Sequence, residues 1–367
     1  MMSPSACKPE PPRQSGLFNP PSLANRTRWP IECTAGLLYG EGNPMTMDST
    51  PHQDLETLWI ETPEVRLHVR RGGARRAQNP DAAPLLFVHG YPDSWRSWIP
   101  MMTELGSDHE VAALDLRGAG RSSAPADQKG FAIERVLPDF VAVIDRLVGP
   151  KGQVHLVCHD WGATLGWAFA SVPEYQARLR SLTAIAGPHP ELVLPLMARR
   201  LRSLRPAALR FVCNQLLRSW YIFAFQIPGL GEALWRKNPR LGLIRAHQRG
   251  GVPRSLAEAC IDPDTLVADT IGLLGLYRQL LRGLGRRRRA AAKHSPLQID
   301  VPSLMIVPRQ DFALSPLLYD NLPEHVRELE LRYIDANHWA HLQYPTLVNG
   351  LVRTHVERNQ SPSAGTT

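Results

Sequence analysis

The chain is poor in several things that would place it in a special class. It has five cysteines in 367 residues (Cys7, Cys33, Cys158, Cys213 and Cys260), odd in number, scattered and without CxxC spacing. That excludes a disulfide framework or a cysteine zinc site as the organising device and makes a reducing, cytoplasmic setting the default. No stretch approaches the roughly 18 uncharged apolar residues of a membrane span. The opening MMSPSACKPEPPRQSG lacks the apolar run of about 7 to 15 residues that a signal peptide carries after its basic start. Internal repeats are absent. What is present is ordinary for a globular protein: 43% hydrophobic and 21% charged residues, in a length that suits one large core plus an insertion, or two domains.

Charge is unevenly spread. Between Pro188 and Leu297 there are 19 Lys/Arg against 6 Asp/Glu, a balance of +13 in a chain whose whole formal charge is +8, so the rest carries −5. The run RGLGRRRR at 282–289 is the extreme. A solvated basic face is one reading; peripheral contact with an anionic membrane is the other. Nucleic acid is not the expected partner, because no nucleic-acid module accompanies the charge.

The first fifty residues, rich in Pro, Ser, Gly and Asn, read as a poorly ordered tail, and 359–367 as a short C-terminal one. Met45 and Met47 just precede the first structural segment, and translation starting there is an expectation for mass spectrometry of the native N-terminus. LETLWIE and VRLHVR read as strands around a turn at Thr62-Pro63. PLLFVHG, VAALDLRG, VHLVCHD and SLTAIAG are continuous apolar runs, the look of strands covered on both faces. FAIERVLPDFVAVIDRLVG and GATLGWAFASV, between them, have helical spacing. Strands alternating with helices imply crossovers and a mainly parallel sheet. From 188 to 297 the strand pattern lapses into Leu/Arg-rich helical text, then VPSLMIVP, ELRYIDA and PTLVNGLVRTHVE complete the pattern. The expected division is an α/β core at 51–187 and 298–358, with a helical cap at 188–297 inserted after the sixth strand.

The sharpest local signal is Cys158-His159-Asp160-Trp161-Gly162, set between a buried strand and a helix. So tight a turn strains its central residue and exposes that side chain at the sheet edge. Small neighbours two residues away on either side are required, and Cys158 and Gly162 comply. A helix N-cap is the other role Asp fills well here. As a nucleophile, a carboxylate is already ionised at neutral pH and can displace a leaving group at saturated carbon. The resulting ester then needs an activated water and an oxyanion site. Asp311, just past the strand around Leu304 to Val307, is placed to orient a histidine; Asp335 competes. His338 in ANHWAHLQYP is the candidate base, with His341 three residues on as its rival. Backbone N–H groups of Tyr91, after His89-Gly90, and of Trp161 would form the oxyanion site. Trp95, Phe225 and Trp339 are expected to line an apolar pocket, with a place in the core as the equal alternative for all three. His89, His155 and His159 are expected to be structural.

HGYPDSW at 89–95, DLRGAGRS at 115–122, HDWG at 159–162, GPHP at 187–190, QDFAL at 310–314 and NHW at 337–339 together resemble the epoxide hydrolases of the α/β-hydrolase superfamily. The resemblance spans about Leu55 to Val356, implies the α/β-hydrolase fold, and selects His338 as the base. It also implies two cap tyrosines that hold and protonate the epoxide oxygen. WYIFAFQIPGLGEA resembles the first tyrosine segment and GLYRQLL the second, which assigns Tyr221 and Tyr277, the insertion's only tyrosines. A small apolar epoxide is then the substrate, with no metal or organic cofactor. Several motifs are shared with haloalkane dehalogenases. Those carry Asn after His-Gly, where this chain has Tyr91, and fluoroacetate dehalogenases carry Arg after the nucleophile, where it has Trp161. Cys158, Ala163 and Asn337 depart from the family pattern by small or turn-compatible residues. A haloalkane or haloacid dehalogenase, or a hydrolase scaffold retained for binding, are the alternatives.

Overall fold

The structure is a computed structural model that describes residues 55–74, 82–291 and 297–360, with side chains of 284–291 excluded. All described residues belong to one unit. The expected N-terminal tail with Met45 and Met47, residues 361–367 of the expected C-terminal one, and the side chains of the four-arginine run lie outside them.

Eight strands form one sheet: β1 (Glu56–Glu61), β2 (Arg66–Gly73), β3 (Leu85–Val88), β4 (Glu110–Leu114), β5 (Val154–His159), β6 (Leu179–Ile185), β7 (Ser303–Pro308) and β8 (Leu329–Ile334). Their spatial order is β1-β2-β4-β3-β5-β6-β7-β8. The first two strands run antiparallel to their neighbours and the other six are mutually parallel. Helices α1 (Ile99–Leu105), α2 (Ile133–Val148), α3 (Trp161–Ala170) and α4 (Pro173–Gln176) fall between the core strands. Seven follow β6: α5 (Val193–Arg202), α6 (Pro206–Arg218), α7 (Trp220–Ala224), α8 (Leu230–Arg236), α9 (Pro239–Arg249), α10 (Arg254–Ala259) and α11 (Leu274–Ala291). A π-turn at Ala268–Gly272 precedes the last of these, and α12 (Ala340–Gln343) and α13 (Pro345–Arg358) close the chain.

The apolar runs are continuous because each core strand is covered on both faces. Along β3, Leu86 and Val88 join the layer under α2 and α3, while Leu85 and Phe87 join the layer under α1 and α13. The same alternation carries through β4 and β7, where Ala112 and Met305 face one way and Ala113 and Ile306 the other. α13 answers with Val348, Val352 and Val356 on one stripe. β1, at the sheet edge, buries only alternate residues. Thr62 makes the turn after it, its hydroxyl donating to Val65 O and accepting from Val65 N–H. Pro138 sits inside α2 and neither starts nor ends it, and Gly149 terminates the helix at φ +78°. Among the described residues no helix is long and apolar enough to cross a membrane.

Candidate active site

Asp160 follows β5 directly and caps α3 at φ +51°, ψ −115°, a conformation that costs a non-glycine residue roughly 1–3 kcal/mol. It occupies the N-cap position, yet its side chain accepts no capping hydrogen bond. Two close approaches force the turn. A Cβ on Gly162 would lie 2.2 Å from Val88 O, and one on Gly90 would lie 2.4 Å from the Asp160 carboxylate. The carboxylate therefore points across the strand ends. Its Oδ1 accepts the Tyr91 N–H at 2.8 Å, and its Oδ2 lies 3.5 Å from His338 Nε2.

His338 follows β8 and is buried with Asp311, whose Oδ2 is 2.7 Å from His338 Nδ1. Asp311 Oδ1 is held by the N–H groups of Ala313 and Leu314, so the carboxylate is aimed by its own turn. Asp335 is elsewhere, paired with Arg309 at the surface. His341 stacks on Trp98 beneath the site, 4.6 Å between centroids, with burial holding it neutral. The DLRGAGRS segment sets the Tyr91 loop: Asp115 Oδ1 accepts the Trp95 N–H and His89 Nε2 accepts the Leu116 N–H. His155 meets Ser181 Oγ, and His159 Nε2 meets His338 O. Burial drives these two imidazoles down, to about 3 and about 4 respectively.

The electrostatics are those of a coupled pair. Burial opposes charge on His338, but Asp311 and Asp160 outweigh it and raise the imidazole to about 10. Burial pushes Asp160 upward, and the His338 interaction and the Tyr91 N–H overcome it, so the carboxyl sits below its usual range. At neutral pH the site holds a carboxylate beside an imidazolium.

A cavity opens over Asp160, bounded by Trp161, Tyr221 and Tyr277 and walled by apolar residues of α5, α6, α7 and α11. The two tyrosine rings lie 5.8 Å apart, edge to face, and Tyr277 packs 5.0 Å from Trp161. Burial, and then the Asp160 charge on Tyr221, hold that phenol above its ordinary range; burial, then Tyr221 and Asp160, do the same for Tyr277. Both stay protonated near neutrality. Trp161 N–H stands at the first position of α3, where no intrahelical acceptor exists.

The three expected pocket aromatics are not in this wall. Trp95 lies in the core layer, with the guanidinium groups of Arg70 and Arg96 over its ring. Phe225 backs the tyrosines, packed edge-on against Tyr91, Tyr221 and Tyr277. Trp339 donates to Asp93 Oδ2, while Asp93 Oδ1 meets His247 of α9 at 2.9 Å. Aliphatic residues such as Leu194, Met197 and Leu216 take the wall instead.

Three positioning contacts go beyond what the sequence predicts. Gln226 donates from Nε2 to Tyr277 O and Ile222 O, and Arg278 donates to Phe225 O and to both Glu232 oxygens, so the two tyrosine segments are stapled to each other. Tyr91 spans core and insertion, donating its hydroxyl to Thr270 O in the π-turn and accepting from Trp235 Nε1. Gln226 and Arg278 fall inside the two tyrosine segments; the pairing of distant residues such as Tyr91 and Trp235 has no local signal. Among the described residues no group of three or more His, Cys, Asp or Glu side chains converges to hold a metal.

A family model for the alpha/beta hydrolase fold matches residues 83–225. The chain superposes on an epoxide hydrolase of Bacillus megaterium, solved with an inhibitor, at a TM-score of 0.65 and 25% identity, covering 82% of this chain and 100% of that one. The chain has the α/β-hydrolase fold. Among its relatives, the protein named probable oxidoreductase EphD of Mycobacterium tuberculosis is 29% identical over 296 residues. That match covers 80% of this chain and 48% of EphD, so the chain spans about half the length of that relative. Epoxide hydrolase 4 of Mus musculus is 28% identical over 279 residues, covering 73% of this chain and 71% of that protein.

Proposed function

We propose that this α/β-hydrolase opens an epoxide to a vicinal diol through a covalent ester on Asp160, with 188–297 serving as a cap over a core of 51–187 and 298–358. The observation that carries the reading is one cavity in which Asp160 faces two protonated phenols, with His338 and Asp311 behind it. An alkoxide is a poor leaving group, so ring opening at neutral pH requires a proton donor opposite the nucleophile. Halide displacement has no such need. The apolar wall favours an apolar substrate.

The hydrogen-bond pattern supports one division of labour between the two carboxylate oxygens. Asp160 Oδ1 already rests on the Tyr91 N–H, so Oδ2 attacks the ring carbon and Oδ1 becomes the ester carbonyl oxygen in its oxyanion site. The C–O bond of the ring breaks, and a phenol of Tyr221 or Tyr277 protonates the departing oxygen. Esterification abolishes the charge on Asp160, which removes one of the two carboxylates that keep His338 charged. The imidazolium then returns a proton to the phenolate and becomes a base. It deprotonates water, which attacks Cγ of Asp160, with the Tyr91 and Trp161 N–H groups stabilising the oxyanion. Collapse expels the diol, protonated by the new carboxyl, and restores the carboxylate–imidazolium pair. One epoxide and one water give one diol.

The test is diol formation from styrene-type, fatty-acid and halogenated substrates by purified protein. Diols support the reading; halide release without diols assigns a dehalogenase, and binding without turnover assigns a scaffold. A reducing, cytoplasmic setting belongs to the same proposal, and cell fractionation tests it.

A further inference from the structure

The insertion's solvent face differs from the rest of the described surface. Eleven of the fifteen large apolar side chains exposed among the described residues lie between Leu194 and Val267. Leu194 (44% exposed), Leu216 (46%) and Phe223 (52%) also belong to the cavity wall above Asp160. At these three residues the apolar lining continues on to the surface. Leu216 and Leu217 close α6, and Trp220 and Phe223 follow in α7 beyond the turn at Ser219, four exposed apolar residues within eight positions, with Leu217 at 71% and Trp220 at 58% exposure. Apolar surface on this scale marks an interaction site.

The flanking charge identifies the occupant. From Val193 to Arg236 the sequence has seven arginines and one acid, Glu232, which is committed to Arg278; Arg199 and Arg200 pair with Glu324 and Asp320, and Arg218 donates to Asp311 O. Arg202, Arg205 and Arg210 are exposed. α11, whose Tyr277, Leu280 and Leu281 line the cavity, continues into the basic run at Arg286–Arg289. A second copy of this chain would bring arginine against arginine. An anionic headgroup layer neutralises them and offers hydrocarbon to the leucines, tryptophan and phenylalanine.

We propose that this arginine-flanked apolar face docks on an anionic lipid bilayer and admits a lipid-dissolved epoxide into the cavity at Leu194, Leu216 and Phe223. The admission half rests on the epoxide hydrolase reading; the docking half does not. Full-length protein is sedimented with vesicles of phosphatidylcholine, alone or mixed with phosphatidylglycerol. Binding at least about tenfold tighter to the anionic vesicles is expected, weakening with salt. A Leu217→Ser/Trp220→Ser variant changes two residues outside the cavity wall. It is expected to bind anionic vesicles at least about tenfold more weakly. Its kcat/KM for a water-soluble aryl epoxide and its thermal midpoint should match the parent, while turnover of a vesicle-borne epoxide falls. Equal or absent binding to the two vesicle types overturns the proposal, as does undiminished binding by the variant. A solution dimer that the variant dissolves assigns the face to a second copy. Anionic-selective binding by a protein that forms no diol keeps the docking and removes the epoxide hydrolase reading.

Discussion

The core and the insertion build opposite kinds of surface. In the core, strand ends hold Asp160, Asp311 and the Tyr91 N–H by backbone turns, with little freedom: a Cβ on Gly90 or Gly162 would collide. The insertion is a set of mostly short helices that supplies two phenols and an aliphatic wall, and carries most of the large apolar side chains that are exposed among the described residues. Charge chemistry sits where the backbone is fixed, and substrate contact sits where the helices are amphipathic. Rigid electrostatic groups are worth most when they need not reorganise, whereas an apolar wall tolerates adjustment.

Substitutions can break that comparison in order of effect. Asp160→Asn removes the nucleophile and should lower kcat by about 10⁵-fold or more, with no ester detectable by mass spectrometry. His338→Gln should leave alkylation intact while slowing hydrolysis about 10³-fold or more, so the protein accumulates a substrate-sized mass on the Asp160 peptide. Equal loss of both steps would show that His338 serves alkylation as well. On the insertion side, Tyr221→Phe/Tyr277→Phe should cost about 10² to 10³ in kcat, and each single change about tenfold, because one phenol can serve for two.

Smaller effects sharpen the boundary between the halves. Tyr91→Phe keeps the oxyanion N–H but strands Trp235 Nε1 and Thr270 O, at a cost of about 1–3 kcal/mol of stability and about threefold to tenfold in kcat. Thermal melts and steady-state rates check it. The pH dependence has a definite sign. His338 is raised from 6.5 to about 10, so its contribution to stability is whole below about pH 6.5 and is lost as pH rises through about 10. Asp160→Asn removes one carboxylate, so NMR titration should find the His338 value lower, and the fall in melting temperature over that window should flatten.

The core was legible in the sequence because its physics is local. Runs such as Leu85–Val88 are apolar without alternation only when both faces are covered. An acid wedged between such a run and a helix, with Gly162 two residues on, marks a strand-to-helix turn that presents its side chain. The pocket was not legible in the same way. Trp95, Phe225 and Trp339 have the right chemistry for a wall, but each is turned to another partner: arginines, the tyrosine rings, Asp93. A residue's type says that it will be buried and leaves open against what. Contacts across large sequence separations, such as Asp93 with His247 or Tyr91 with Trp235, depend on how the insertion folds back, which no window of sequence contains.

The central claim, attack by the Asp160 carboxylate, is tested most directly by a single turnover in heavy-oxygen water followed by mass spectrometry of the peptide and the diol. The account predicts one heavy oxygen in Asp160 and none in the first diol, whose new oxygen comes from the carboxylate. A labelled diol with an unlabelled Asp160 would mean that water attacks the epoxide itself, and would contradict it.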